Sequence, residues 1–249
     1  MRCGILIIGS LLWDDPDGGQ RADWREARLD SGAAVRVGTP IRYGRKSSSR
    51  ANTFTMIFNP GDPVGEAVVL PCRGDIATLN DLVAESKALW QAEARANEPG
   101  AISERWGCVG AMFADSATCL SEEWSAHFRK CGARPVSVVN ADGILEMCWP
   151  VELDDGPANF DLILATATAP AATLPTAEMV ADAWVERGSE EYFLNNVKHG
   201  IRTAGDGEIW RRIKERDPAW LRNGAHTQAI NLLNAEAARG RNDAIESSR

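Results

Sequence analysis

Ile5-Leu6-Ile7-Ile8-Gly9-Ser10-Leu11-Leu12-Trp13 is the stretch on which the reading of this chain turns. Four consecutive branched aliphatics predict a strand buried on both faces. The strand stops at Gly9-Ser10, where the backbone can turn and leave its amides pointing outward. A rigid strand ending in such a loop makes a cradle for a carboxylate or another polar group of a small ligand. Taken alone, a strand that merely turns at Gly-Ser is the simpler reading, and the loop gains weight only from what surrounds it.

The chain has 249 residues, 44% of them hydrophobic, which is enough to fill a sizeable core. A formal charge of −8, with no Lys/Arg stripe interleaved with aromatics, argues against nucleic acid and for a small molecule or a protein partner. The first apolar run is too short for a signal peptide, and no run approaches a membrane span. The expectation is a cytoplasmic protein with no membrane association. Six scattered cysteines (Cys3, Cys72, Cys108, Cys119, Cys131, Cys148) form no C-x-x-C pair. Nor do His127, His199 and His226 cluster with them at ligand spacing, so neither a metal nor a cofactor is expected.

Outward from the opening strand, residues 14–20 read as a loop and 22–31 as a short helix or turn. Strands are expected over 34–43, with an edge or bend at Pro40, then over 53–58 and 64–70, the last two separated by the turn Asn59-Pro60-Gly61-Asp62-Pro63. Asp75 is placed as the cap of a helix over 76–96, on the spacing of Ile76, Leu79, Leu82, Val83, Leu89 and Trp90. A strand over 106–114, a helix over 121–130 and a hairpin over 135–149 follow. After a strand over 160–168 come helices from Pro175 to Gly188, from Glu190 to Gly200 and from Asp206 to Arg216. The charged tail 234–249 is a surface helix or frays. The whole is read as one α+β domain, residues 1–233, with a helical C-terminal portion.

This layout resembles the γ-glutamylcyclotransferase-like family of ChaC and AIG2 type. The residues that carry the resemblance are Ile8-Gly9-Ser10-Leu11, in place of the family's Tyr-Gly-Ser-Leu loop, the basic run Arg42–Arg50, and the Gly-led strand Val64–Leu70. They are joined by the Leu79/Leu82 helix and by the closing segments Gly188–Leu194, Gly200–Thr203 and Asp206–Ile209. Residues 97–157 form an insertion that the resemblance does not cover. It either selects among substrates or makes a homodimer interface. The implied fold is a small mixed barrel or curved sheet with packed helices.

The implied activity is a cofactor-free, lyase-type cyclotransfer: a γ-glutamyl compound, of which glutathione is one, closes to 5-oxoproline and releases its amine. The substrate's own α-amino group is the nucleophile, so the protein supplies positioning and a proton shuttle. The resemblance assigns the shuttle to Glu85, after Leu79 and Leu82, with Glu93 as its rival. Glu85 shares a helical face with Leu82, Ala88 and Leu89, where a carboxylate needs a function or a partner such as Lys87 or Arg95. Gly9, Ser10 and Leu11 would bind the substrate, with Arg45, Arg50 and Tyr192 around them. Two alternatives stay open: a non-catalytic ligand-binding module on the same fold, and an amide hydrolase pairing Cys108 or Cys131 with His127.

Overall fold

The computed structural model describes residues 1–15, 19–94, 100–153 and 156–246, the side chains of 156, 157 and 237–246 excepted. Its elements run β1 (Cys3–Ile7), α1 (Gln20–Arg28), β2 (Val35–Ser47), β3 (Thr53–Phe58), β4 (Val64–Pro71), α2 (Leu79–Ala94), β5 (Ser103–Glu104) and β6 (Gly107–Phe113). They continue with α3 (Thr118–Lys130), β7 (Val151–Glu152), β8 (Gly156–Pro157), β9 (Leu162–Thr168), α4 (Ala177–Arg187), α5 (Glu190–Lys198), α6 (Asp206–Arg216) and α7 (Thr227–Glu246). This is an α+β arrangement. None of the described helices is long and apolar enough to cross a membrane.

The opening strand lies inside the sheet, as its composition requires. It pairs in parallel with β9 and antiparallel with β4, and Ile5, Leu6 and Ile7 are buried on both faces. The strand order is β5-β6-β9-β1-β4-β2-β7-β8, with β3 paired to β2. The sheet is open and mixed, with two-residue strands at both edges, and so is not the closed barrel of the two expected forms.

β2 is shared between two partner strands. Its first half pairs with β4 as far as Pro40, and from Ile41 onward it pairs with β3 instead. Proline lacks the amide that would continue the ladder, so the expected bend at Pro40 becomes a change of partner. The strand then runs four residues further than its apolar pattern indicated, through Ser47.

The edge of β4 left open where β1 ends is closed by Arg202, which exchanges backbone hydrogen bonds with Glu66 at 2.7 and 2.9 Å. Gly65 is required beside it, because a Cβ there would lie 2.4 Å from the Arg202 carbonyl oxygen. The Arg202 guanidinium is almost fully buried and donates to Asp206 (2.9 Å) and to Glu236 (2.8 Å). These bonds tie α6 and α7 to the sheet. An aromatic stack of Tyr43, Trp184, Phe193 and Trp210 fills the layer between the sheet and α4–α6.

Several local expectations are corrected. Helix α2 starts at Leu79, not at 76, because Thr78 and Asp81 form a reciprocal cap: Asp81 accepts from the Thr78 amide at 2.8 Å, and Thr78 Oγ1 accepts from the Asp81 amide at 3.3 Å. Asp75 is therefore not its cap. The 135–149 hairpin forms at its tip alone: Val139 and Leu145 bridge, the Asn140 amide donates to the Ile144 carbonyl (3.0 Å) and the Glu146 amide to that of Val138 (2.7 Å), around a tight turn in which the Asn140 carboxamide accepts from the amides of Asp142 and Ile144. Helix α3 begins at Thr118, three residues before Ser121. The tail from Asn234 continues α7 as far as Glu246.

Candidate functional site

At the C-terminal end of β1 the chain enters a short 3-10 turn over Ser10–Leu12, in which the Leu12 amide donates to the Gly9 carbonyl at 3.1 Å. The first amides of such a turn have no acceptor within it. Gly9 is extended (φ −173°) and not left-handed, so its need for glycine is one of space. A Cβ at Gly9 would stand 3.0 Å from the Tyr192 hydroxyl.

That hydroxyl accepts the Met56 amide of β3 at 3.2 Å, which leaves its own hydrogen to be donated. Burial pushes the Tyr192 phenol above its usual range, so it stays protonated.

Around this turn lies a cavity of about 810 Å³, formed also by the β2–β3 connection, the end of α2 and the segment after β9. Gly9, Ser10, Leu11, Arg45, Arg50 and Tyr192, the six substrate-binding candidates, all line it. The β2–β3 connection is backbone-strained: Ala51 and Asn52 both have positive φ (53° and 59°). It is braced by the Asn52 amide on the Ser47 carbonyl (2.9 Å) and by the Thr53 hydroxyl on the Arg50 carbonyl (2.7 Å).

The charged side chains in the cavity differ in what holds them. Arg50 pairs with Asp14 and lies over the rings of Tyr192 (4.7 Å) and Trp13 (5.4 Å). The Arg45 guanidinium stacks on Trp106 at 4.3 Å and has no hydrogen-bond partner among the described residues, the Thr55 hydroxyl donating only to the Arg45 carbonyl. Burial lowers its affinity for its proton from the ordinary arginine value, with Glu93 opposing that effect. An unpartnered, desolvated guanidinium calls for an anion.

Arg21 is 6% exposed, and its Nε donates to the Ala92 carbonyl at 3.0 Å and its Nη2 to that of Glu93 at 3.2 Å. Its remaining nitrogen lies 3.4 Å from Ser10 Oγ and 3.5 Å from Asp14. One buried fork therefore joins the end of α2 to the Gly9–Leu11 turn.

The glutamate assignment changes. Glu85 does not line the cavity. It is buried mid-helix, accepts from Arg28 at 2.9 Å, and keeps Oε1 without a partner among the described residues. Burial pushes it above the usual carboxylate range, and Arg28 only partly offsets this. Glu93, in the last turn of α2 and so about 12 Å further along the helix axis, is the helix carboxylate that lines the cavity. Its Oε2 lies 3.9 Å from Arg21.

Among the described residues, no histidine or cysteine lines the cavity. Cys108 is buried in β6 with its thiol pushed up to about 11, and Cys131 donates to the Phe128 carbonyl. The Cys131 amide donates to the His127 carbonyl at 2.9 Å, but neither thiol is hydrogen-bonded to the His127 ring, so the alternative nucleophile pair is not assembled among the described residues. His226 is buried rather than at the surface, whereas exposed His199 stacks on Trp13. No group of residues able to hold a metal occurs among those described. The partner considered for Glu85 at Arg95 lies outside the described residues.

Three site residues escaped the reading of the sequence: Arg21, Asp14 and Trp106. Arg21 and Asp14 sit in segments whose charge suggested solvent, and Trp106 lies in the part the family resemblance did not cover. Comparison with family models, with curated proteins and with solved structures gave no match to this chain.

Proposed function

We propose that the cavity binds a γ-glutamyl compound and closes it to 5-oxoproline, with Glu93 rather than Glu85 as the proton shuttle. The observation that carries this reading is the Glu93 carboxylate facing the same cavity as the Gly9–Leu11 turn, where no histidine or cysteine among the described residues accompanies it. A site furnished in this way suits a reaction in which the substrate brings its own nucleophile.

The substrate's α-amino nitrogen attacks its γ-carbonyl carbon, and Glu93 accepts the proton lost from that nitrogen. The Ser10 and Leu11 amides and the Tyr192 hydroxyl offer hydrogen bonds to the oxyanion that develops. Glu93 then returns the proton to the departing amine as the old C–N bond breaks. Proton and bond counts balance with no outside reagent. Holding amine against carbonyl supplies up to ~7–11 kcal/mol of the barrier reduction, and the shuttle contributes ~10²–10⁴-fold.

The test is mass-spectrometric detection of 5-oxoproline from a panel of γ-glutamyl amino acids, peptides and amines. The wild type and Glu85→Gln should form product, and Glu93→Gln should be slower by ~10²–10⁴-fold. Product from neither the wild type nor any variant, with the protein folded, overturns cyclotransfer. The Arg45 guanidinium on Trp106 favours a second reading, binding without turnover, since it seats an anionic group whether or not a bond breaks. Calorimetric binding of an unreacted γ-glutamyl ligand would then replace catalysis.

A further inference from the structure

Glu85, set aside by the cavity, stands in a second cluster at the other end of β1. The β1–β4 register pairs Gly4 with Pro71 and so brings Cys3 opposite Cys72. The Cys72 amide donates to the Cys3 carbonyl at 2.9 Å, one of the two bonds of a hydrogen-bonded antiparallel pair. Such pairs have Cα atoms about 5.5 Å apart, inside the ~4.4–6.8 Å range that a disulfide spans. Both cysteines are free, Cys3 wholly buried and Cys72 half-buried. Cys72 is bridged on its other side to Leu29, whose neighbour Arg28 holds Glu85. The second carboxylate oxygen of Glu85 is buried without a partner.

We propose that Cys3 and Cys72 are a dithiol–disulfide couple, a modification site closed by exchange with a small-molecule disulfide, in which Glu85 takes the proton of the buried Cys3. Cys72, the half-exposed member, attacks one sulfur of the reagent RSSR. It forms a mixed disulfide and releases one RS⁻, which takes up the Cys72 proton as RSH. Cys3, deprotonated by Glu85, then attacks Cys72 Sγ, forms the intrachain bond and releases a second RS⁻. That thiolate leaves as RSH once Glu85 has given up its proton. The reagent is reduced and the two protein thiols are oxidised, with no other reactant.

Hydrogen bonding of the protonated Cys3 thiol to Cys72, together with burial, holds Cys3 well above the usual thiol range. An adjacent base is what such a thiol needs before it can attack. This couple does not depend on the cyclotransfer reading.

The test uses the full chain with the exposed Cys119, Cys131 and Cys148 changed to Ser. It is treated with bis(2-hydroxyethyl) disulfide, which contains no γ-glutamyl group and so leaves the cavity out of the measurement. Acid quenching and peptide mapping should find Cys3 linked to Cys72, two thiols released per chain, and a Tm raised by ~5–10 °C.

Cys3→Ser should stop at a mixed disulfide on Cys72. Glu85→Gln should accumulate that same species and release the second thiol ~10²-fold more slowly. A Cys72 that takes up no reagent, or a mixed disulfide that persists with Cys3 present, overturns the couple. Closure at an unchanged rate in Glu85→Gln overturns the proton role.

Discussion

Replacing Arg21 by Lys tests whether one buried guanidinium holds the candidate site together. Arg21 makes two short hydrogen bonds, 3.0 Å to Ala92 O and 3.2 Å to Glu93 O, and three longer contacts to Ser10, Asp14 and Glu93. A lysine ammonium keeps the charge, but as a point donor it can hold only one of the two carbonyls in place. One hydrogen bond from a charged donor is then lost, worth ~1.5–3 kcal/mol, or ~3–12 °C in Tm for a chain of this size. Arg21→Met also removes the charge and leaves Glu93 and Asp14 in a half-buried site, so it should cost ~3–5 kcal/mol. Urea unfolding of the wild type and both variants, followed by tryptophan fluorescence, gives the stabilities. Turnover of whichever γ-glutamyl compound the wild type accepts gives the second readout. Because the fork positions both the turn and Glu93, Arg21→Lys should lower kcat/KM by more than tenfold while the protein remains folded. A lysine variant with wild-type stability and wild-type kcat/KM would refute the reasoning.

Tyr192→Phe keeps the ring under Arg50 but strands the Met56 amide, which should cost ~1–3 kcal/mol in thermal or chemical unfolding; an unchanged Tm would show that this 3.2 Å bond contributes nothing. Gly65→Ala forces a Cβ to within 2.4 Å of a backbone carbonyl and 2.8 Å of Ile41, and should destabilise by ~1–3 kcal/mol or more, read as a drop in Tm. Glu85 is held above its ordinary value by burial, so above pH ~4.3 the folded chain binds its proton more firmly than the unfolded one, and stability falls as pH rises through that window. Glu85→Gln removes this dependence, so its stability relative to the wild type should improve between about pH 4 and pH 7, and a difference that stays flat across that range contradicts the assignment.

The opening strand was legible because a run of branched aliphatics has one stable home, the inside of a sheet. Its neighbours were not, since parallel pairing with β9, the last strand in the sequence, leaves no local signal. Pro40 announced a break. That β2 changes partner there and continues through Arg45, Lys46 and Ser47 was hidden, because those residues line a cavity and lose the alternation that marks a half-buried strand.

Helix α2 shows the same limit in its side chains. The wheel placed Glu85 on the apolar face, and it is indeed buried there, but burial on a face does not say which end of the helix meets the cavity. Nothing in the sequence marks Arg21 as buried, because α1 is rich in charge. Only the tertiary approach of α2 turns that side chain inward.

Two glutamates on one helix thus come to different chemistry through what closes over them. Around Glu85 the helix packs on the sheet, so the carboxylate has one arginine and an unpartnered oxygen among the described residues, and it stays outside the cavity. Glu93 stands about two turns further along the helix, where Arg21 reaches both its carboxylate and the Gly9–Leu11 turn. The same two variants therefore separate the roles in opposite directions. Glu93→Gln should slow turnover by ~10²–10⁴-fold and leave thiol exchange intact, whereas Glu85→Gln should slow the closing of the Cys3–Cys72 bond and leave turnover intact. A chain in which both variants failed both measurements would mean that α2 is only a structural support, and that neither carboxylate carries a proton.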